Sequence, residues 1–393
     1  MSLFNRGHYY FLSQKKGFTL LELIVGSTIM LVIILGALSL YVKSNRVSVD
    51  QQQFAEIQHD VRASMFFVSR DIRSTGVGIL PEISGYFLEG KDAFGPGPES
   101  SDSIKIMGNF DDPLNLKIQK YQGGVGGGSD TAFLYEWELE KSPYECPAYY
   151  ENKTYLVVST KCPGCLTFRF VATNSVFGCG TGIAHLNFEP GKSDLNPPGG
   201  LVDSGCGADC WDDGWITIAQ IKQYWLDTTG NPADYPELNL TKGTDGYLGL
   251  ANTLYLTTVN EKGHIMHLAL AKNIENMQFQ YDGDIDNDGF LDGFADWDNA
   301  NWTIDPNEDG ITKKTKFERI SRIHQVRIWI LGKTSEPFVG VSGTPSTGIH
   351  LYRRPAIANS LQVGPEDRHR RFLLESTANI RNLSLNIYNT GTR

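Results

Sequence analysis

Lys15-Lys16-Gly17-Phe18-Thr19-Leu20-Leu21-Glu22 opens the stretch that decides the fold, and apolar residues with scattered Gly, Ser and Thr continue it to Val42. Between Phe18 and Val42 the sole formal charge is Glu22. A helix over those 25 residues is about 37 Å long, enough to cross a hydrocarbon core of about 30 Å. Lys15 and Lys16, with Arg6 upstream, put the N-terminal side in the cytoplasm and everything after Val42 outside it. A cleaved secretory signal fits poorly, because the apolar run is long and no small-x-small site closes it. An ordinary signal anchor leaves Glu22 unexplained: an acid a few residues into lipid costs about 3 kcal/mol unless something pairs with it.

Working outward, the helical period outlives the apolar run. Val47, Phe54, Ile57, Val61, Val68 and Ile72 form a stripe, while Lys43, Arg46, Asp50, Gln51 to Gln53 and Asp60 face elsewhere. No Pro or Gly interrupts between Ala37 and Thr75, and Gly76 and Gly78 are stops. One helix is expected over residues 18–75, with 18–42 in the membrane and the remainder amphipathic.

Lys15-Lys16-Gly17-Phe18-Thr19-Leu20-Leu21-Glu22 resembles the type IV prepilin signature of type IV pilins and type II secretion pseudopilins. The resemblance implies a 1–17 leader, cleavage between Gly17 and Phe18 by a prepilin peptidase, N-methylation of Phe18, and a Glu22 that meets the amino terminus of a neighbouring pilin inside the membrane. That contact supplies the partner a buried carboxylate needs. Arg70-Asp71-Ile72-Arg73-Ser74-Thr75-Gly76 is similar to the helix end of PilW-like minor pilins and J-type minor pseudopilins. Leu270 to Tyr281, Val326 to Leu331 and Asn379 to Leu383 are similar, less specifically, to strand blocks of PilW-like proteins. The fold this implies is α+β and pilin-like: a long N-terminal helix packed on a head, residues 76–393, rich in antiparallel sheet.

The head is acidic. The formal net charge is −10, and loss of Arg6, Lys15 and Lys16 with the leader takes it to −13, which argues against non-specific nucleic-acid binding. Low charge, abundant Gly and many aromatics suit strands and loops. Alternation bounded by turns marks strands at Ser103 to Met107, Leu114 to Tyr121, Thr131 to Trp137, Tyr155 to Thr160, Leu166 to Val171, Thr253 to Val259, His264 to Ala271, Ile274 to Tyr281, Gln325 to Leu331 and Ile380 to Tyr388. Asn260-Glu261-Lys262-Gly263 reads as a hairpin turn and Gly123 to Gly128 as a loop.

Cys146, Cys162, Cys165, Cys179, Cys206 and Cys210 lie on the extracytoplasmic side, where an even count favours disulfides with connectivity open. Zinc is the rival, since Cys162-Pro-Gly-Cys165 and Cys206-x3-Cys210 have ligand spacing. Leu166 excludes covalent haem at the first pair. A cysteine-bearing insertion is expected over about 144–215. Trp211, Trp215, Tyr224 and Trp225 are read as core rather than as a binding surface.

One stretch suggests a cofactor. Counted from Asp284, acids fall at loop positions 1, 3, 5 and 9 (Asp284, Asp286, Asp288, Asp292), with Gly289 at 6 and the Phe290 carbonyl at 7, as in a calcium loop. Ala295 replaces the bidentate Glu at 12, leaving Asp296 or Asp298 to substitute. Asp305 to Gly310 repeats only the first half of the pattern. His264 and His267, three apart in a strand, point to opposite faces and make a poor metal pair. No P-loop and no GxSxG is present.

The reading is a non-enzymatic PilW-like minor pilin, held by its helix in the inner membrane and then packed with other pilins near the tip of a filament. The alternatives are a minor pseudopilin of type II secretion, a calcium-dependent adhesin carried on a pilus, and an anchored periplasmic hydrolase sharing the leader.

Overall fold

The computed structural model describes residues 17–78, 87–97, 100–109, 115–123, 130–135, 146, 148–162, 165–179, 184–196, 206–241, 243, 245–284, 288–298, 320–337, 351–358, 360, 364 and 366–380. The leader before Gly17, the loop at 124–128, Asp286, Asp305 to Gly310 and the block after Ile380 lie outside them. The chain forms two compact units, residues 1–52 with 339–348 and residues 53–338 with 349–393.

In the first unit, α1 (Leu20–Arg73) begins. Thr19 caps it: the Thr19 Oγ1 accepts from the Glu22 N–H at 3.2 Å, and a Glu22 carboxylate oxygen accepts from the Thr19 N–H at 3.0 Å. This reciprocal pair is a capping box, with the acid at the third helical position. Further along, the Ser27 and Thr28 hydroxyls donate to the Ile24 carbonyl, each at 3.0 Å. The Ser27 and Thr28 hydroxyls are thereby satisfied by the helix itself, as a lipid-facing helix would require. Apolar residues from Phe18 to Val42 are exposed, Phe18 at 87%. The helix is long and apolar enough to cross a membrane.

In the second unit the helix changes character. Ile57, Val61, Met65, Val68 and Ile72 are buried, and Phe54 packs beside them, whereas Val47 is exposed. After Arg73 the chain turns away through Gly76 and Gly78, both at positive φ, and the Gly76 N–H donates to the Met107 carbonyl.

The strands are β1 (Leu88–Lys91), β2 (Ser103–Gly108), β3 (Asn115–Gln122), β4 (Asp130–Leu134), β5 (Lys153–Val158), β6 (Leu166–Val171), β7 (Val176–Phe177), β8 (His185–Phe188), β9 (Trp215–Ile218), β10 (Gln220–Asp227), β11 (Thr253–Val259), β12 (Ile265–Ala271), β13 (Ile274–Gly283), β14 (Ile323–Lys333), β15 (Tyr352–Arg353), β16 (Glu366–Asp367) and β17 (Arg371–Asn379). They form a five-stranded sheet β1-β2-β10-β11-β12, a three-stranded sheet β13-β14-β17, a seven-stranded sheet β6-β5-β9-β3-β4-β8-β7 and the pair β15-β16. Among the described residues every pairing is antiparallel. The architecture is therefore α+β, one long helix followed by a head of antiparallel sheets.

The helix stripe shares one core with the five- and three-stranded sheets, through Ile104, Ile106, Leu226 and Leu254 from one and Met277, Phe279, Val326 and Ile328 from the other. Gly332 of β14 lets the helix approach: a Cβ there would stand 2.6 Å from Val61 Cγ2 and closer still to Ile57 Cγ2. A second core, with Tyr150, Tyr155 and Trp211, fills the seven-stranded sheet.

The seven-stranded sheet joins β3 and β4, from Asn115 on, to strands of the cysteine-bearing stretch expected over about 144–215. Strand β9 pairs with both β3 and β5, a long-range choice that local alternation does not carry. Among the described residues the final strand is β17 (Arg371–Asn379); of the strand expected at Ile380 to Tyr388 only Ile380 is described, a buried residue just after β17 whose N–H donates to the His324 carbonyl. In β17 exposure alternates from Phe372 to Asn379, but Leu373 falls on the exposed side and Ser376 on the covered side, so the sequence itself shows no clean apolar/polar alternation.

Candidate functional site

The sequence placed its functional residues in two regions. At the N-terminus Gly17 and Phe18 are exposed, and a Cβ on Gly17 would meet nothing within 4 Å. The fold of the chain itself does not demand glycine there. Glu22 faces outward with its carboxylate held at Thr19, where a hydroxyl donates at 2.9 Å beside the backbone N–H. A carboxylate has about four lone-pair sites, so capping leaves acceptor capacity for a second donor. Thr19-Leu20-Leu21-Glu22 carries the T-x-x-E signal of that cap, which sequence reasoning passed over.

At the other end of α1, Asp71 is buried and anchors the helix to β10. It accepts from Lys222 Nζ at 2.9 Å, from the Tyr224 hydroxyl at 2.6 Å and from Arg70 Nε at 3.0 Å. Burial pulls its carboxyl upward, but the hydrogen bonds from Lys222 and Tyr224 outweigh it and hold the pKa below the ordinary carboxylate value. Burial and the Asp71 charge push the Tyr224 hydroxyl far above its usual pKa. Sequence similarity picked out this segment without assigning Asp71 a role.

In the head, all six cysteines are paired: Cys146–Cys179, Cys162–Cys210 and Cys165–Cys206. The two pairs with zinc-ligand spacing are cross-linked to each other, which removes the thiolates that zinc would need. Trp211, Tyr224 and Trp225 are buried and Trp215 is half-buried, so they pack rather than present a surface.

The acidic loop follows β13 and returns at Ala295, which exchanges both backbone hydrogen bonds with Tyr281. Asp284, nearly fully buried, accepts from the Asp288 and Gly289 N–H groups at 3.0 and 2.9 Å. Asp288 accepts from the Phe290 N–H at 2.8 Å. Asp282, outside the expected ligand set, accepts from Gly293 and Gln325. Asp92, which the sequence did not single out, caps the returning chain at the Trp297 and Asp298 N–H groups. Burial lifts the Asp92 carboxyl above its usual value despite those two donors. Among the described residues, Asp284, Asp288 and Asp292 are not drawn into one tight cluster of ligand oxygens. Asp286 is not described.

His264 and His267 diverge. His264 is exposed beside Asp194, while His267 is buried on a cleft of 1050 Å³ over the five-stranded sheet. Its Nδ1 stands 2.7 Å from Thr257 Oγ1, which also accepts from Trp225 Nε1 at 2.8 Å. Beside these groups, on the same face of the sheet, Trp225 and Tyr255 join Tyr235, Tyr247 and Phe94 in an aromatic core.

Residues 12–38 match the family profile described as the prokaryotic N-terminal methylation motif. No curated protein matches the chain. A solved type IV-like pilin from Thermus thermophilus is similar at 8% identity, covering 83% of this chain and 96% of that one with a TM-score of 0.23. The chain thus carries a prokaryotic N-terminal methylation motif, and the matched span includes Gly17, Phe18 and Glu22.

Proposed function

We propose that this chain is a non-enzymatic subunit of a type IV pilus-like filament, a PilW-like minor pilin processed between Gly17 and Phe18. The observation that carries the reading is the methylation motif at the start of a helix long and apolar enough to span a bilayer, with one acid near its beginning. The apolar half stores the subunit in the inner membrane as a single pass, with the head outside the cytoplasm. In the filament the same surface packs against other pilins, and Gly26 and Gly36, where a Cβ would meet nothing within 4 Å, allow close helix approach. Glu22, already oriented by Thr19, accepts from the Phe18 amine of a neighbour. A minor pseudopilin of type II secretion would share these features, and the partners recovered by crosslinking and pull-down from membranes separate the two machines. The expected mature terminus is N-methylated Phe18, read by N-terminal mass spectrometry. Recovery of intact Met1 in cells with active prepilin peptidase sinks the reading. Because the chain leaves space at Gly17, impaired processing of Gly17→Ala would report the peptidase's own steric limit.

We also propose that the loop after β13 takes calcium through Asp284, Asp286, Asp288, Asp292 and the Phe290 carbonyl. The donor set is hard oxygen, and the N–H bonds to Asp284 orient its carboxylate while leaving lone pairs. Bound calcium would offset the repulsion among these acids. Millimolar calcium is expected to raise the melting temperature of the full chain, with a gain of about 2.7 kcal/mol at a hundredfold excess over Kd. Asp284→Ala with Asp288→Ala should abolish the shift; equal melting in chelator and in calcium would leave the loop a solvated turn.

A further inference from the structure

Two short cysteine turns meet at one end of the seven-stranded sheet. Cys162 and Cys165 stand in the connection between β5 and β6, where the Cys165 N–H donates to the Cys162 carbonyl at 3.0 Å and the Ser159 N–H to the Cys165 carbonyl at 2.9 Å. Cys206 and Cys210 precede β9, and there the Cys210 N–H donates to the Gly207 carbonyl at 3.1 Å. The register sets Val158 of β5 opposite both Leu166 of β6 and Trp215 of β9, so the two turns emerge side by side. Ser159 joins them: its hydroxyl accepts from the Cys162 N–H at 2.8 Å and donates to the Cys210 carbonyl. The Thr160 hydroxyl adds a bond to the Asp213 carbonyl at 3.1 Å. Strand pairing and hydroxyl bridges thus hold the turns together in addition to the sulfur–sulfur bonds.

The sulfurs converge as well. Those of Cys162, Cys165 and Cys210 lie within 4.8 Å of one another, although Cys162–Cys210 and Cys165–Cys206 are separate bridges. Cys206, bonded to Cys165, brings a fourth sulfur to the group, whereas Cys146–Cys179 lies outside it. A tetrahedral zinc site with bonds of about 2.3 Å spaces its sulfurs about 3.8 Å apart, and it draws them from pairs with roughly two to four residues between. Cys162-x2-Cys165 and Cys206-x3-Cys210 have that spacing. Cys162, Cys165 and Cys210 are half-buried and Cys206 is buried, which leaves a side open to reductant and metal.

We propose that Cys162, Cys165, Cys206 and Cys210 form a redox-convertible zinc site, closed by two disulfides when oxidised and by one tetrahedral zinc ion when reduced. A small dithiol balances the conversion. Each of two dithiol molecules passes two electrons and two protons to one bridge and closes to its own disulfide, leaving four cysteine thiols. Zinc then binds the four sulfurs and displaces their protons. The two turns stay joined in either state. This inference is independent of the filament reading, since it rests on the head alone.

The test uses the full chain in detergent, reduced with dithiothreitol, desalted without oxygen and given zinc in competition with a chromophoric chelator. The expected result is one zinc per reduced chain and none per oxidised chain. Cobalt in place of zinc should give thiolate-to-cobalt charge transfer and tetrahedral d–d bands. Zinc should also raise the melting temperature of the reduced chain, since it binds the folded site in preference to the unfolded thiols. Cys165→Ser should lose the metal to the chelator. The double variant Cys146→Ser with Cys179→Ser should keep it, because the reduced wild type already lacks that bridge. A reduced chain that takes up no zinc overturns the proposal. So does equal uptake by the oxidised chain or by Cys165→Ser, or binding without a rise in melting temperature, which would place the metal on unfolded thiols.

Discussion

Asp71 shows what one side chain does when a helix end is buried. Its carboxylate joins Arg70 on its own helix to Lys222 and Tyr224 on β10, and removing the charge would leave Lys222 largely buried without its counter-ion. Asp71→Asn is expected to destabilise the head by about 3 kcal/mol, read by denaturant titration of the full chain in detergent. The pH dependence follows from the depressed native pKa. Above 3.8, the ordinary carboxylate value, the contribution is fully present; as the pH falls through the native pKa, the unfolded chain has already taken up its proton and the contribution is lost. The wild type should therefore lose stability more steeply than Asp71→Asn below about pH 4. A parallel acid profile in the two proteins would contradict this assignment. Nothing in Arg70-Asp71-Ile72-Arg73 distinguishes Asp71 from a solvated acid, because its partners are strands away in sequence. The Thr19–Glu22 cap, by contrast, is local and legible.

At the scale of elements, the helix meets the three-stranded sheet at Gly332, where a side chain is absent. Gly332 faces Ile57 and Val61, both β-branched and therefore stiff at the contact. Gly332→Ala is expected to cost about 1–3 kcal/mol by overpacking, lowering the melting temperature and loosening the Gln53–Arg73 half of α1, with hydrogen exchange as the local readout. The companion substitution Ile57→Ala should recover part of the loss by opening space; additive losses would show that the close approach is not the cause. The disulfides act on another element. They close loops between residues 33, 48 and 41 apart in the chain, and each constrains the seven-stranded region. The even cysteine count made three bridges an expectation, but the pairing came from which strands the sheet brings together.

At the scale of the whole molecule, the N-terminal helix carries two environments in one element, apolar all round before Val42 and apolar on one stripe after Gln53. Glu22→Val makes the first of these more apolar, so insertion into the membrane should proceed. Incorporation into a sheared filament fraction should fall, because in the proposed assembly the neighbour's amine loses its acceptor. Equal recovery of variant and wild type would remove Glu22 from assembly and leave it only its cap at Thr19.

The sequence by itself determined the apolar span, the amphipathic continuation, its glycine stop, the methylation motif and most strands of the head. Each is written in near-neighbour periodicity, composition or a short motif, and the backbone reads such signals locally. The tertiary structure alone decided the strand order of the seven-stranded sheet, the pairing of the cysteines and the burial of Asp71. Those depend on register between strands far apart in the chain. In a sheet, register is chosen by which faces bury together, an energy shared across the core and carried by no single stretch of sequence.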